Sequence, residues 1–144
     1  MLWQRAKQDT VKNFFPLPNE IFSLGLSPGE LAVYSYLLVR EDRRTFQCWP
    51  SYRRIGKAVC MSVNTVRKYV AALEEKGLIV TEPTSVTTKS GQKHNGSLLY
   101  TIRPIKEAVE LYNQRLLRQL EETTERMRVA QKLAERGEHA CDRV

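Results

Sequence analysis

The side chains best suited to chemistry lie in one short run, Ser62-Val63-Asn64-Thr65-Val66-Arg67-Lys68. Asn64 and Arg67 carry planar groups that make paired hydrogen bonds, Ser62 and Thr65 carry hydroxyls, and Lys68 carries a compact charge. On a helix, Val66, Val70 and Leu73 recur at i, i+4 and i+7 and face a core, with Val63 extending the stripe. Asn64, Thr65, Arg67 and Lys68 then lie off that stripe within the first two turns. Such a face suits base edges: Arg67 matches the O6 and N7 of guanine, and Asn64 matches the N6 and N7 of adenine. Ser62 and Thr65 suit phosphates beside a helix N-terminus, where free backbone N–H groups point outward.

Other chemistries fit poorly. The histidines, His94 and His139, fall in a polar loop and near the C-terminus. The chain has no phosphate-binding P-loop or HExxH pair. Cys48, Cys60 and Cys141 are odd in number and widely spaced, with no CxxC or Cys/His ligand set, and read as reduced thiols. The expectation is a protein with no catalytic residues, no metal and no cofactor. No apolar run approaches the ~20 residues of a membrane span, and MLWQRAKQDTVKNFF lacks the apolar segment of a signal peptide. A cytoplasmic protein, on the nucleoid when bound to DNA, is expected, with no membrane partner.

Charge is segregated along the 144 residues. The net charge is +7, yet residues 1–39 carry three basic and three acidic side chains, and residues 104–144 balance eight against eight. Residues 40–76 carry nine basic side chains against four acidic, and residues 84–103 carry Lys89, Lys93 and Arg103 with no acid. A surface for a polyanion accounts for this placement, since neutralising phosphates releases condensed counterions.

The elements that must position these residues follow from punctuation. Residues 1–26 hold Pro16 and Pro18 and read as an extended lead-in, with Phe14, Phe15, Leu17, Ile21 and Phe22 packing on the domain. Ser27-Pro28-Gly29-Glu30 is a capping box that opens a first helix to about Arg40. A polar loop and Trp49, read as a core anchor, precede a second helix opened by Pro50 and Ser51, with Ile55, Ala58 and Val59 inside. Ser51, Tyr52 and Arg53 at its start suit phosphates. Ser62 caps the third helix, which ends at Gly77, a residue free to take the left-handed conformation. Leu78–Thr81 and Leu98–Ile102 read as the strands of a β-hairpin. Residues 84–97 between them are too long for a two-residue turn, and their Lys89, Lys93 and His94 suit an adjacent minor groove or its backbone.

From Pro104 to about Arg136 nothing breaks a helix, and residues 137–144 are expected to fray. Val109, Tyr112, Leu116, Leu120 and Met127 form an apolar stripe, interrupted at Thr123, that so small a domain cannot cover. A second copy is the simplest cover.

Three helices with a tight turn between the second and third, then a hairpin, make a winged helix-turn-helix. The segment WPSYRRIGKAVCMSVNTVRKYVAALEEKGLI resembles the core of a large bacterial helix-turn-helix family, whose pattern runs W-P-S-x-x-x-I-A/G, G-M/V-S-x-x-T-V and L-E-x-x-G-L-I. FFPLPNEIFSLGLSPGELAVYSYLL resembles members from plasmids, phages and conjugative elements, and S-x-x-T-V-R with E-x-x-G-L-I is similar to GntR-type repressors. The resemblance spans about residues 14–103 and implies that Ser62, Asn64, Thr65, Arg67 and Lys68 face DNA. Cys60 departs from the family's glycine, and a less sharp turn is expected there.

The sequence therefore reads as mainly α with a small β-hairpin. Its parts are a lead-in (1–26), a winged helix-turn-helix (27–103), a long C-terminal dimerisation helix (104–136) and a frayed tail (137–144). The expected function is sequence-specific binding of double-stranded DNA at an inverted repeat, as a homodimeric transcriptional regulator. Two alternatives stand beside it: a replication initiator of a mobile element, and a protein-interaction module on a degenerate winged helix, which tends to lose the charge that Arg67 and Lys68 supply here.

Overall fold

Serine caps begin each helix of the region expected to bind DNA. The computed structural model describes residues 13–141, and the chain divides at Val109–Glu110 into two units. In the first unit, α1 (Pro28–Arg40), α2 (Tyr52–Val59) and α3 (Val63–Glu75) follow Ser27, Ser51 and Ser62, each with extended backbone. Their hydroxyl oxygens accept from the N–H groups of Glu30, Arg54 and Thr65 at 3.2, 3.1 and 3.2 Å, satisfying donors the helices cannot.

β1 (Gln47–Cys48), β5 (Leu99–Ile102) and β2 (Ile79–Glu82) form an antiparallel sheet in that order, with Cys48 opposite Tyr100 and Val80 opposite Thr101. Val33, Tyr34 and Leu37 of α1, Ile55 of α2, and Val66, Val70 and Leu73 of α3 pack on Leu78, Ile79, Tyr100 and Ile102 as one core. The architecture is a winged helix-turn-helix followed by a long helix, α4 (Ile105–Cys141).

Several expectations change. The lead-in is not extended throughout: Asn19–Ser23 is a turn of 3-10 helix. Its threefold repeat puts Ile21 and Leu24 into the core and turns Phe22 outward at 72% exposure, and Phe14 is exposed as well. Residues 1–12 of the lead-in lie outside the described residues. Trp49 is no core anchor but is 64% exposed, because Cys48 faces inward on β1 and the next side chain must face out. Val63 is 40% exposed, since the first turn of α3 runs past the edge of the core, and Gly56 rather than Ala58 is buried on α2.

Residues 84–97 are not an open loop. β3 (Ser85–Thr87) and β4 (Lys93–Asn95) pair as a separate antiparallel ribbon. A turn closes it: Thr88 N–H donates to Gln92 O at 2.9 Å, Gly91 N–H donates to Thr88 O at 2.9 Å, and Gly91 takes φ 81°.

Helix α4 has 37 residues, a rise of roughly 55 Å, and continues beyond Arg136 to Cys141. Thr123 and Thr124 interrupt the apolar stripe without breaking the helix, because their hydroxyls donate to Gln119 O and Leu120 O at 2.8 Å each. Residues 142–144 of the expected tail lie outside the described residues. In the first unit, Val109 is half-buried against that unit's own core, which leaves only part of its side chain exposed. In the second unit, Tyr112, Leu116, Leu117, Leu120 and Met127 are exposed.

Candidate nucleic-acid interface

The turn between α2 and α3 decides where the polar run points. Cys60 ends α2 in the left-handed conformation, φ 58° and ψ 47°. Met61 N–H returns to Gly56 O at 2.9 Å. Gly56 makes this closeness possible, since a Cβ there would lie 2.5 Å from Met61 O. The expectation of a less sharp turn is corrected: Cys60 itself takes the left-handed conformation, at a cost of about 1–2 kcal/mol for a residue with a Cβ.

α3 then buries Val66, Val70 and Leu73 and exposes Asn64, Arg67 and Lys68. These three stand at i, i+3 and i+4, on one outward face. Thr65 is half-buried, and its hydroxyl lies 2.8 Å from that of Ser62. These two residues thus serve the cap as well as any contact they make outside. The Arg67 guanidinium carbon lies 5.7 Å from the ring centroid of Tyr52, within reach of a cation–π contact. Tyr52 is half-buried at the start of α2, between exposed Ser51 and exposed Arg53.

Four ties hold α3 in place. Gly29 of α1 leaves room for Tyr69, whose ring would be 2.4 Å from any Cβ added at Gly29. The Lys76 ammonium, just past α3, donates to Glu30 Oε2 at 2.5 Å and to Gly25 O at 3.3 Å. Gly77 N–H donates to Glu74 O at 3.0 Å and Leu78 N–H to Leu73 O at 3.1 Å, the paired closure expected where glycine ends a helix at φ 77°. The Glu74 carboxylate then accepts from both the N–H and the hydroxyl of Thr81 on β2, at 3.1 and 3.0 Å.

On the wing, Lys93 and His94 are exposed on β4, and Lys89 is exposed in the Thr88–Gln92 turn. The main feature that sequence reasoning missed is Trp49, which with Arg40 and Arg54 lines an open depression of about 400 Å³. A two-residue strand gives no alternation by which its outward position is read.

Nucleophilic chemistry finds little support in Cys48: burial, and secondarily the Glu41 carboxylate, push its thiol up to about 12. Among the described residues, no group of three or more His, Cys, Asp and Glu side chains is placed to hold a metal ion. No described helix is long and apolar enough to cross a membrane.

No curated protein matches the chain. Among solved structures, it is similar to a possible transcriptional regulator from Methanosarcina mazei Go1, at 24% identity and TM-score 0.43, covering 69% of this chain and 80% of that one. It is similar to the zinc-responsive MarR family member ZitR of Lactococcus lactis, at 13% identity and TM-score 0.42, covering 91% and 81%. It is also similar to S. aureus MepR in a complex with DNA, at 14% identity and TM-score 0.41, covering 94% of each chain. Residues 24–79, from the end of the lead-in through α1, α2 and α3 into β2, match a family model described as a helix-turn-helix domain.

Proposed function

We propose that this chain binds double-stranded DNA in a sequence-specific manner and regulates transcription as a homodimer. The observation that carries this reading is the outward face of α3, where Asn64, Arg67 and Lys68 stand together behind a tight turn. A major groove about 12 Å wide admits one helix, and α2 behind it braces the backbone side. Arg67 and Asn64 read base edges. Lys68, Ser51, Arg53, Ser62 and Thr65 meet phosphates and fix the register. Lys89, Lys93 and His94 bring the wing to the neighbouring groove, and the lack of acid from residue 84 to residue 103 favours that approach.

The exposed stripe of α4, with Tyr112, Leu116, Leu120 and Met127, supports pairing with a second copy. Two copies related by a twofold axis would present α3 helices about 34 Å apart, suited to an inverted repeat. The test is a titration of purified protein against a pool of random duplexes at two salt concentrations, with the bound fraction sequenced. An enriched inverted repeat with steep salt dependence is expected. Salt-dependent retention without an enriched sequence overturns sequence-specific reading, and no retention at low salt overturns DNA binding.

A further inference from the structure

A cavity of about 570 Å³ opens within the first unit, between the lead-in, the C-terminal half of α1, the end of β5 and the start of α4. Pro16, Leu17, Tyr34, Leu38, Phe46 and Ile105 make its walls largely apolar. Its size falls within the range of about 300–1,000 Å³ of small-molecule sites, which combine apolar walls with few, fixed polar groups.

Three charged side chains line it: Glu41, Arg103 and Lys106. They differ in what they have to offer. The Arg103 guanidinium is already engaged by Glu107, with Nε–Oε2 at 3.0 Å and Nη2–Oε1 at 2.8 Å. Lys106 is exposed, so water serves its ammonium. Glu41 caps the C-terminus of α1, and its Oε2 is buried without a hydrogen-bond partner. Burial holds its carboxyl above the usual carboxylate range, against the opposing pull of Arg43. A buried acceptor without a donor is costly until one arrives.

We propose that this cavity binds a small lipophilic amine. The ammonium donates to the free oxygen of Glu41, and the hydrocarbon part lies against Leu17, Leu38, Phe46 and Ile105. Charge complementarity chooses the cation: the wall oxygen buried without a partner belongs to a carboxylate, and an anion of the same size would face it. The site does not depend on DNA binding, and its test needs no DNA.

Three probes share one ring and one size: cyclohexylmethylammonium, cyclohexylmethanol and cyclohexanecarboxylate. The full chain is titrated with each by calorimetry. The ammonium should bind about tenfold more tightly than the alcohol, and the carboxylate should bind most weakly. Glu41→Gln should bring ammonium and alcohol to similar affinities while the alcohol still binds. Lys106→Glu, at an exposed position that leaves the fold intact, should tighten the ammonium several-fold, so the test does not rest on the buried substitution alone. The proposal is overturned if none of the three probes binds, if the carboxylate binds best, or if Lys106→Glu leaves the ammonium unchanged.

Discussion

The guanidinium carbon of Arg67 on α3 lies 5.7 Å from the ring centroid of Tyr52 on α2. The two elements of the helix-turn-helix are thus joined on their outer side by the side chain proposed to read a base. A long, flexible arginine spends less entropy on reaching a guanine edge when its planar end is already held.

This pairing yields the first prediction. Arg67→Ala should cost about 1–3 kcal/mol on the preferred duplex and relax base preference. Tyr52→Leu should cost about 0.5–1 kcal/mol on the same duplex and little on others. In a double-mutant cycle the two losses should be non-additive, because both remove the same contact. Full additivity in the duplex titration would refute the pre-positioning of Arg67.

The wing is proposed to make a different kind of contact. Lys93 is exposed on β4, paired across the ribbon with Thr87. Lys93→Ala should weaken every duplex nearly equally and lower the slope of log affinity against log salt by about one. Affinities measured at several salt concentrations check this; a loss confined to one sequence would make Lys93 a reader rather than a phosphate contact.

At Cys60, the left-handed backbone carries a side chain where glycine would be relaxed. Cys60→Gly should stabilise the fold by roughly 0.5 kcal/mol, the relief of strain being partly offset by the freer unfolded chain. Cys60→Val should destabilise it, since a β-branched residue resists φ 58°. Urea unfolding of both variants decides the matter.

Alkaline pH should weaken the fold through Cys48 and Tyr34. Burial, with a smaller effect of Glu41, lifts the Cys48 thiol from 9.0 to about 12 and the Tyr34 phenol from 10.0 to about 12. The unfolded chain releases these protons at ordinary values while the folded chain keeps them. Stability is therefore whole below about pH 9 and falls as pH rises toward 12. Urea unfolding at about pH 8 and about pH 10.5 should show this fall. Cys48→Ala should reduce it by removing the thiol's share; an equal fall in wild type and variant would show that the thiol does not contribute.

The exposed stripe of α4 gives the prediction on assembly. Leu116→Glu with Leu120→Glu should convert a dimer into a monomer by light scattering while leaving the helix-turn-helix folded. A wild-type chain that is already monomeric at high concentration would remove the basis for the inverted repeat.

Much of this was legible in the residues because capping is local chemistry. Ser27, Ser51, Ser62 and Gly77 mark helix ends by satisfying groups within a few residues, and the structure uses each of them so. The core face of α3 was legible for the same reason, its spacing being a property of one helix. The exposure of Val63 is set by where the core ends, that of Phe22 by the threefold repeat of a 3-10 turn, and that of Trp49 by a strand too short to show its alternation, none of which spacing reveals. β1 and the β3–β4 ribbon escaped notice because strands of two or three residues, without an apolar face, leave no alternation to read. Val109 continues the apolar spacing of α4, and spacing alone does not reveal that the first unit covers part of it.

The closure at Gly77 and Leu78 carries a consequence for the duplex. α3 passes into β2 through a buried residue, with Glu74 bonded to Thr81 and Leu78 O accepting from Arg103 N–H at 3.0 Å. α3 and the base of the wing are therefore joined by hydrogen bonds on both sides of a buried residue. With α3 in a groove as proposed, a joint held in this way shifts the work of fitting to the duplex. Among duplexes with identical contacted bases, those whose intervening steps bend easily should be preferred, so that stiffness at positions no side chain reaches becomes part of what is recognised.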